Sequence, residues 1–526
     1  MVNKVVSAGG GNGLQALNGE TVSYEHPECI VHIGRCNRCR KLIPNNTSFI
    51  WNYVIKTLCL RCIIICDMDF VDRKKEQQRL KELLNSGSPR FVIVRGRRRI
   101  GKSALIGRVL KDSDIYFEAD RTAAPNQMLL CSQVISRRFP GFADAVYMDW
   151  KALLKAINHR VTEPITVCLD EFPYLVENTP ALPSIIQGLL DDDKDPVKYN
   201  LVLCGSSQQI MYDLSHDESS PLFGRDDSDF NMRPIAAPFL SEALNLDAQE
   251  TVENYAVWGG VPRYWKLRED CSSLKEAINT HIFSNLGALY EEPLHLFRDD
   301  IKDPVKTATI MSIVGNGIHR LSEIASRCNE PATNLSRPLA KLLDLGYLEK
   351  DIPFGESPKS SKKSLYQIAD PFLSFYYKFV PANRSFIEMD RRLPLEEALA
   401  DNLSSHIGYW WEHLCRDAVS GNRIDGVVFG KASRWWGKVL LEGEEKPRDV
   451  ELDVVAESID GKTILIGECK WSTGENGRLL TRQLEKIAHS LPFTQGKKVL
   501  FKLFTKNRPE EDQGNSILPD DVLGLL

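Results

Sequence analysis

Short apolar runs alternate with helix-length amphipathic segments through the first half of the chain. FVIV, DIYFEA, ITVCLD and NLVLCGS are brief, rich in β-branched and aromatic residues, and separated by stretches long enough for a helix. Such runs predict strands covered on both faces, and their alternation with helices predicts a mostly parallel sheet. DRKKEQQRLKELLN predicts a polar-faced helix before the first strand, and SALIGRVLK a helix after the glycine turn that follows it. From about residue 243 to 297 the pattern is helical, and from 303 to 380 helical segments give way to the polar stretch GESPKSSKKS and then SLYQIAD. Beyond about residue 393 the helix YWWEHLCRDAV precedes strands at RWWGKVLL, ELDVVAES and TILIGECKW. The expectation is a multidomain α/β chain divided into residues 1–68, 69–245, 246–300, 301–384 and 385–526.

Length and composition narrow the class. A chain of 526 residues makes three or four ordinary domains, and 43% hydrophobic with 26% charged residues excludes collagen-like, low-complexity and wholly disordered polymers. A formal charge of -5 supplies no general attraction to polyanions, so any nucleic-acid surface must be a local patch. No run approaches the ~18 apolar residues of a membrane helix, and the start MVNKVVSAGGGNG lacks the basic region and apolar core of a secretion signal. A cytoplasmic location and no membrane partner are therefore expected. Thirteen cysteines without an export signal read as reduced thiols or metal ligands rather than a disulfide scaffold.

Directly after FVIV the chain reads Gly96, Arg97, Arg98, Arg99, Ile100, Gly101, Lys102, Ser103, the G-x-x-x-x-G-K-S pattern in a strand-to-helix setting. Its glycines let backbone N–H groups and a helix N-terminus close on phosphate, Lys102 adds a point charge near the terminal phosphates, and Ser103 offers a hydroxyl to Mg2+. ITVCLD ends in Asp170, followed by Glu171: Asp170 would hold the magnesium and Glu171 would deprotonate the attacking water. The alternative for Glu171 is a capping or surface acid. Ser206 and Ser207, at the end of NLVLCGSS, would either sense the γ-phosphate or form a simple turn.

In this order and spacing, GRRRIGKS, LDEFPYL, LCGSSQQIM, PLFGR and WGGVPRYW resemble the predicted archaeal and bacterial ATPases of the AAA+/STAND group, over about residues 70 to 380. The resemblance implies ATP as the nucleotide and a P-loop NTPase core under a helical lid around Trp258 to Trp265. It also implies an arginine that completes the site: Arg225 in PLFGR is the first candidate and Arg233 the second, with a surface role as the alternative.

Between Thr307 and Val380 the succession TATIMSIVGNGIHR, LSEIASRCN, EPATNLSRPLAKLLDLGYLEKD, a basic loop and SLYQIAD fits a winged helix. Asn334, Ser336 and Arg337 would face a DNA groove from a helix starting near Ala332, and Lys359, Lys362 and Lys363 would meet phosphates from the wing. Leu335, Leu339, Leu342, Leu343 and Leu345 are spaced as the packed face of that helix. A protein-binding spacer with a solvated loop is the alternative.

Near the carboxyl end, Asp453 in ELD precedes a second strand carrying Glu468, Cys469 and Lys470, a D…E-x-K arrangement in which Glu468 and Lys470 share one strand face. Asp453 and Glu468 would bind Mg2+ and Lys470 would position or activate a nucleophile, with Glu412 joining from the upstream helix. A solvated strand edge is the alternative. With WWEHL, RWWGKVL and GECKW, residues from about 393 onward resemble the restriction-endonuclease-like, PD-(D/E)xK nuclease domain, although Leu452 stands where the proline of that motif is usual. Upstream of all this, Cys36-x2-Cys39 and Cys59-x2-Cys62 have zinc-ribbon spacing, four thiolates for one Zn2+ that would fold a small N-terminal module. His26, Cys29, His32 and Cys66 leave other ligand sets open, as does a reading as plain buried cysteines.

The combined expectation is an ATP-hydrolysing, DNA-associated enzyme whose nucleotide cycle controls a Mg2+-dependent C-terminal nuclease. ATP and DNA are its expected partners, and homo-oligomerisation is left open. The rival reading is a regulatory DNA- or partner-binding ATPase whose terminal domain binds nucleic acid without cutting it, and a third is an ATP-dependent assembly or sensor protein without nucleic acid.

Overall fold

The computed structural model describes residues 71–301, 303–357, 361 and 363–526, and the backbone of residues 6–7, 14–16 and 21–22. The chain forms two compact units, Met1–Asp69 with Glu269–Ser272 and Phe70–Arg268 with Ser273–Leu526. In the first, Val6–Ser7, Leu14–Ala16 and Thr21–Val22 pair antiparallel in sequence order. Cys36, Cys39, Cys59 and Cys62, the expected zinc ligands, lie outside the described residues, as do Lys359 and Lys362 of the expected wing.

The second unit begins with five parallel strands: β1 Phe91–Arg95, β2 Ile115–Glu118, β3 Thr166–Asp170, β4 Asn200–Gly205 and β5 Ser228–Asn231. They lie side by side in the order β2-β3-β4-β1-β5. Every residue of β3 and β4 is buried, as the unbroken apolar runs predicted for strands with helices on both faces. Phe91, Ile93, Leu169, Leu201 and Leu203 share one core with Trp150, Leu154 and Ile186 from the covering helices. This is a P-loop NTPase-like core, and its ligand crevice lies at the carboxyl ends of β1, β3 and β4.

The helices Pro238–Leu244, Ala248–Trp258, Pro262–Glu269, Leu274–His281 and Glu292–Asp300 follow, as the helical pattern after residue 243 predicts. Asp247 and Glu250 start the second of them with a reciprocal cap. Next come Pro304–Gly315, Leu321–Arg327 and Ala332–Asp344, then an antiparallel hairpin of β6 Leu348–Asp351 and β7 Leu365–Ile368. Leu335, Leu339, Leu342 and Leu345 are buried along one side of Ala332–Asp344, while Asn334, Ser336 and Arg337 are exposed on the other.

After the long helices Pro371–Glu388 and Arg392–Val419 the chain builds a second, five-stranded sheet. Its strands, β8 Ser433–Val439, β9 Arg448–Glu457, β10 Thr463–Lys470, β11 Lys498–Thr505 and β12 Ser516–Ile517, lie in sequence order. The first three pair antiparallel and the last two join in parallel, with the crossover through helix Gly477–His489 between β10 and β11. One face packs on Arg392–Val419 through Trp411, Leu465 and Phe504, and the same core takes in Val252 and Ala256 of the helical segment. The C-terminal sheet is thereby joined to the helical segment that follows the first sheet by a common apolar core. Among the described residues no helix is long and apolar enough to cross a membrane.

Candidate functional site

The P-loop turns immediately after β1. Gly96 sits at φ 149°, and a Cβ there would lie 2.6 Å from the Met232 carbonyl oxygen, so the loop passes a neighbouring backbone at a distance only glycine tolerates. Gly101, at φ 99°, starts the helix Lys102–Val109. The Lys102 ammonium is buried and folded back onto the loop, donating to the carbonyl oxygens of Gly96 at 2.9 Å and Arg97 at 3.3 Å. A phosphate entering the loop would replace those weak acceptors with a charged one.

Ser103 Oγ donates to Asp170 Oδ2 at 2.7 Å, which brings together the hydroxyl and the carboxylate expected to flank Mg2+. Asp170 is only 2% exposed and depends on donors: Tyr116 Oη to Oδ2 at 2.5 Å, the Glu171 amide to Oδ1 at 2.8 Å, and the Cys204 thiol. Burial alone would raise its pKa, but the Cys204, Tyr116, Ser103 and Glu171 hydrogen bonds together hold it below the ordinary aspartate value. An ionised carboxylate beside a serine hydroxyl is the hard oxygen set that Mg2+ takes alongside phosphate and water. Glu171 takes φ 50°, a left-handed backbone, and its Oε2 accepts from Ser206 Oγ at 2.9 Å. Ser206 thus grips Glu171 in this structure, a partner the sequence did not suggest. Arg225 makes a surface ion pair with Asp191 at 2.9 Å.

Arg97, Arg98 and Arg99 are expected among the nucleotide-binding residues of the loop, and Arg97 and Arg99 bond side chains outside it. Arg97 is buried, donating to Asp370 Oδ2 at 2.6 Å and to Tyr264 Oη at 3.1 Å. Arg99 bonds Glu292 Oε2 at 2.7 Å, and Glu292 Oε1 accepts from Tyr264 at 2.9 Å. Asp370 Oδ1 also caps Pro371–Glu388 by accepting from the Leu373 amide at 2.8 Å. The P-loop is therefore wired to the helices that lead to the C-terminal sheet. Nothing local in the sequence marks Asp370 as a P-loop partner, because an aspartate before proline reads as an ordinary helix cap.

The second acidic site lies on β9 and β10. Asp453 falls in the middle of β9 rather than at a strand start, and its Oδ2 accepts from the Cys469 amide at 2.8 Å. Lys470 Nζ bonds Glu468 Oε1 at 2.6 Å. Glu412 reaches the same region from Arg392–Val419, 3.7 Å from Arg416, whose Nη1 donates to the Asp453 carbonyl oxygen at 3.0 Å. Burial and the negative charges of Glu412 and Glu468 push Asp453 up to about 8, and burial also raises Glu412. Among the described residues no three His, Cys, Asp or Glu side chains are arranged to hold a metal ion. The hairpin before this domain touches it: Asp351 on β6 pairs with Arg434 on β8 at 3.1 Å, and Arg434 also bonds Glu451.

Residues 70–267 match a family model described as an ATPase domain predominantly from Archaea, and residues 376–487 match one described as archaeal and bacterial proteins of unknown function. Together with the loop and sheet just described, the first match makes that stretch a P-loop ATPase domain. An uncharacterized protein of Methanocaldococcus jannaschii, MJECL04, is 27% identical over 427 residues, covering 80% of this chain and 91% of that one. The Walker-type ATPase PABY2304 of Pyrococcus abyssi superposes with a TM-score of 0.47 at 20% identity, covering 59% of this chain and 97% of its own. The Aeropyrum pernix ORC2 protein in its ADPNP–ADP complexes gives 0.39 at 14% identity, covering 61% and 95%.

Proposed function

We propose that the chain hydrolyses ATP at the P-loop and that this cycle controls a Mg2+-dependent, DNA-directed nuclease at the carboxyl end. The observation that carries the first half is the hydrogen-bonded line Ser103–Asp170–Glu171–Ser206 at the mouth of β3 and β4. Loop amides and Lys102 take the triphosphate. A magnesium ion between Ser103 and Asp170 would offset phosphate charge. Glu171, released from Ser206, accepts the proton of a water whose oxygen bonds to the γ-phosphorus as the β–γ bridging oxygen leaves with ADP.

The nuclease reading rests on the resemblance of the C-terminal segment together with the meeting of Asp453, Glu468, Lys470 and Glu412 around one mixed sheet. Two carboxylates suffice for Mg2+, which keeps several of its waters. Lys470 would orient the attacking water and the sheet edge would take the strand. DNA reaches the site through the segment read as a winged helix, whose exposed Asn334, Ser336 and Arg337 are free of the packed leucine face. The second reading, binding without cleavage, is favoured by the Lys470–Glu468 contact, which occupies the lysine in this structure.

ATP turnover and cleavage of plasmid DNA by the purified full chain separate these. Lys102→Ala should abolish nucleotide binding or turnover. Asp453→Ala and Lys470→Ala should abolish cleavage while leaving ATP turnover in place. Wild type that hydrolyses ATP yet cuts no DNA with Mg2+ or Mn2+ leaves the binding-only reading.

A further inference from the structure

The helix Ala248–Trp258 turns one stripe of side chains toward the C-terminal sheet. Gln249, Val252, Glu253 and Ala256 are spaced i, i+3, i+4, i+7 and so share a face. Val252 and Ala256 enter the core of that sheet. Gln249 Nε2 donates to the Lys506 carbonyl oxygen at 3.1 Å and to Asn507 Oδ1 at 2.8 Å, and the Lys506 ammonium pairs with Glu253 Oε1 at 2.9 Å. Apolar burial has no direction and would let the helix slide on the sheet, whereas hydrogen bonds are lost beyond about 3.5 Å, so the polar contacts set the register between the two.

Lys506 is the first residue beyond β11, and it meets the end of β10 in two ways. Its amide donates to the Lys470 carbonyl oxygen at 3.0 Å, extending the parallel ladder of β10 and β11 by one bond. Its ammonium lies 5.1 Å from the centre of the Trp471 ring. Trp471 in turn lies 5.2 Å from the ring of Trp411, the residue before Glu412.

The other end of the same helix leads to the P-loop. In the turn after Trp258 a Cβ on Gly260 would run into the Ile235 carbonyl oxygen, so the backbones pass at a distance that only glycine tolerates. There the Gly260 carbonyl oxygen accepts from the Ile235 amide at 2.8 Å, and that of Gly259 accepts from Trp265 Nε1 at 2.6 Å. The next helix presents Tyr264 to Arg97 of the P-loop at 3.1 Å. A helix about 16 Å long is therefore bonded at one end to the surroundings of the phosphate loop and at the other to the partner of Lys470.

We propose that Lys506 is a positioning residue for Lys470 and takes its own place from Gln249 and Glu253, so that nucleotide at the P-loop shifts the end of β10 through the helix Ala248–Trp258. This rests on the ATPase reading and not on DNA cleavage. The test is hydrogen exchange over residues 466–472 and 503–507 of the full chain carrying Glu171→Gln, read by mass spectrometry with and without ATP and Mg2+. Binding of a fluorescent ATP analogue is titrated on the same preparations. ATP should change exchange at the ends of β10 and β11 several-fold. Glu253→Leu and Lys506→Met should each bind the analogue as their parent does and lose most of that response, while Lys506→Arg should retain it. Exchange altered equally with and without ATP would mark a merely structural role and overturn the proposal. It is overturned as well by a response that survives both substitutions, or by a parent that binds the analogue with no response at those residues. A chain that binds no nucleotide overturns the ATPase reading itself, a result that the titration separates from the others.

Discussion

Asp170 and Asp453 are both strand carboxylates withdrawn from water, and their protonation is driven in opposite directions. Asp170 is surrounded by hydrogen-bond donors, from Ser103, Tyr116, Cys204 and the Glu171 amide, and stays ionised. Asp453 accepts one amide and faces Glu412 and Glu468, so its proton is held to about pH 8. The difference teaches what each site needs. The first is completed by its own donors and is ready for a metal-bound nucleotide. The second gathers more negative charge than its neighbours satisfy, a charge that the Mg2+ proposed above would relieve.

The largest effects should come from the first site. Glu171→Gln should keep ATP affinity and lower turnover by about 10²–10⁴-fold, the range of a lost general base, measured by phosphate release. Retention of wild-type turnover would reduce Glu171 to a partner of Ser206 and weaken the contrast drawn above.

Next in size is the buried pair that ties the P-loop to the C-terminal half. Asp370→Ala should lower unfolding stability by about 3–5 kcal/mol, since it strands the Arg97 guanidinium out of water. Combining it with Arg97→Met should recover much of that loss in denaturant melts, whereas an additive double variant would show the pair is not coupled.

Asp453 gives a pH signature of opposite sign to Asp170. Its folded-state pKa lies above its unfolded value, so between the ordinary aspartate pKa and about 8 the folded chain binds the extra proton, and stability falls as pH rises through that window. With chelator present, Asp453→Asn should flatten that slope and melt higher than wild type at the alkaline end. Added Mg2+ should stabilise wild type and leave the variant less affected. The smallest effect is expected from Tyr116→Phe, which removes one of the donors to Asp170: about 0.5–1.5 kcal/mol, read as a few-fold rise in the Mg2+ concentration needed for ATP turnover.

What the sequence made legible was local. Gly96 to Ser103 and the LDE triplet carry their chemistry within a few residues, and the apolar runs around them predicted the central strands because burial on both faces leaves no polar alternation. The start of Ala332–Asp344 and its leucine face were equally readable from helical spacing. Partnerships made across the fold were not. Tyr116 contacts Asp170 only because β2 lies beside β3, and Ser206 reaches Glu171 only because β4 lies on the other side, an order no single stretch encodes. Arg97 and Arg99 look like phosphate ligands in a basic loop, and it takes the packing of Tyr264, Glu292 and Asp370 against them to give them another task. In the C-terminal sheet the strands were legible, but the register that sets the Cys469 amide on Asp453 came from the fold.

The most direct test of nucleotide control over the carboxyl-terminal site is the rate of DNA cleavage with Mg2+, measured for wild type and Glu171→Gln with and without ATP. The account predicts cleavage that changes with ATP, that is locked in one state when Glu171→Gln holds ATP without hydrolysing it, and that vanishes in Lys470→Ala. Cleavage indifferent to both nucleotide and Glu171→Gln, or persisting in Lys470→Ala, would contradict it.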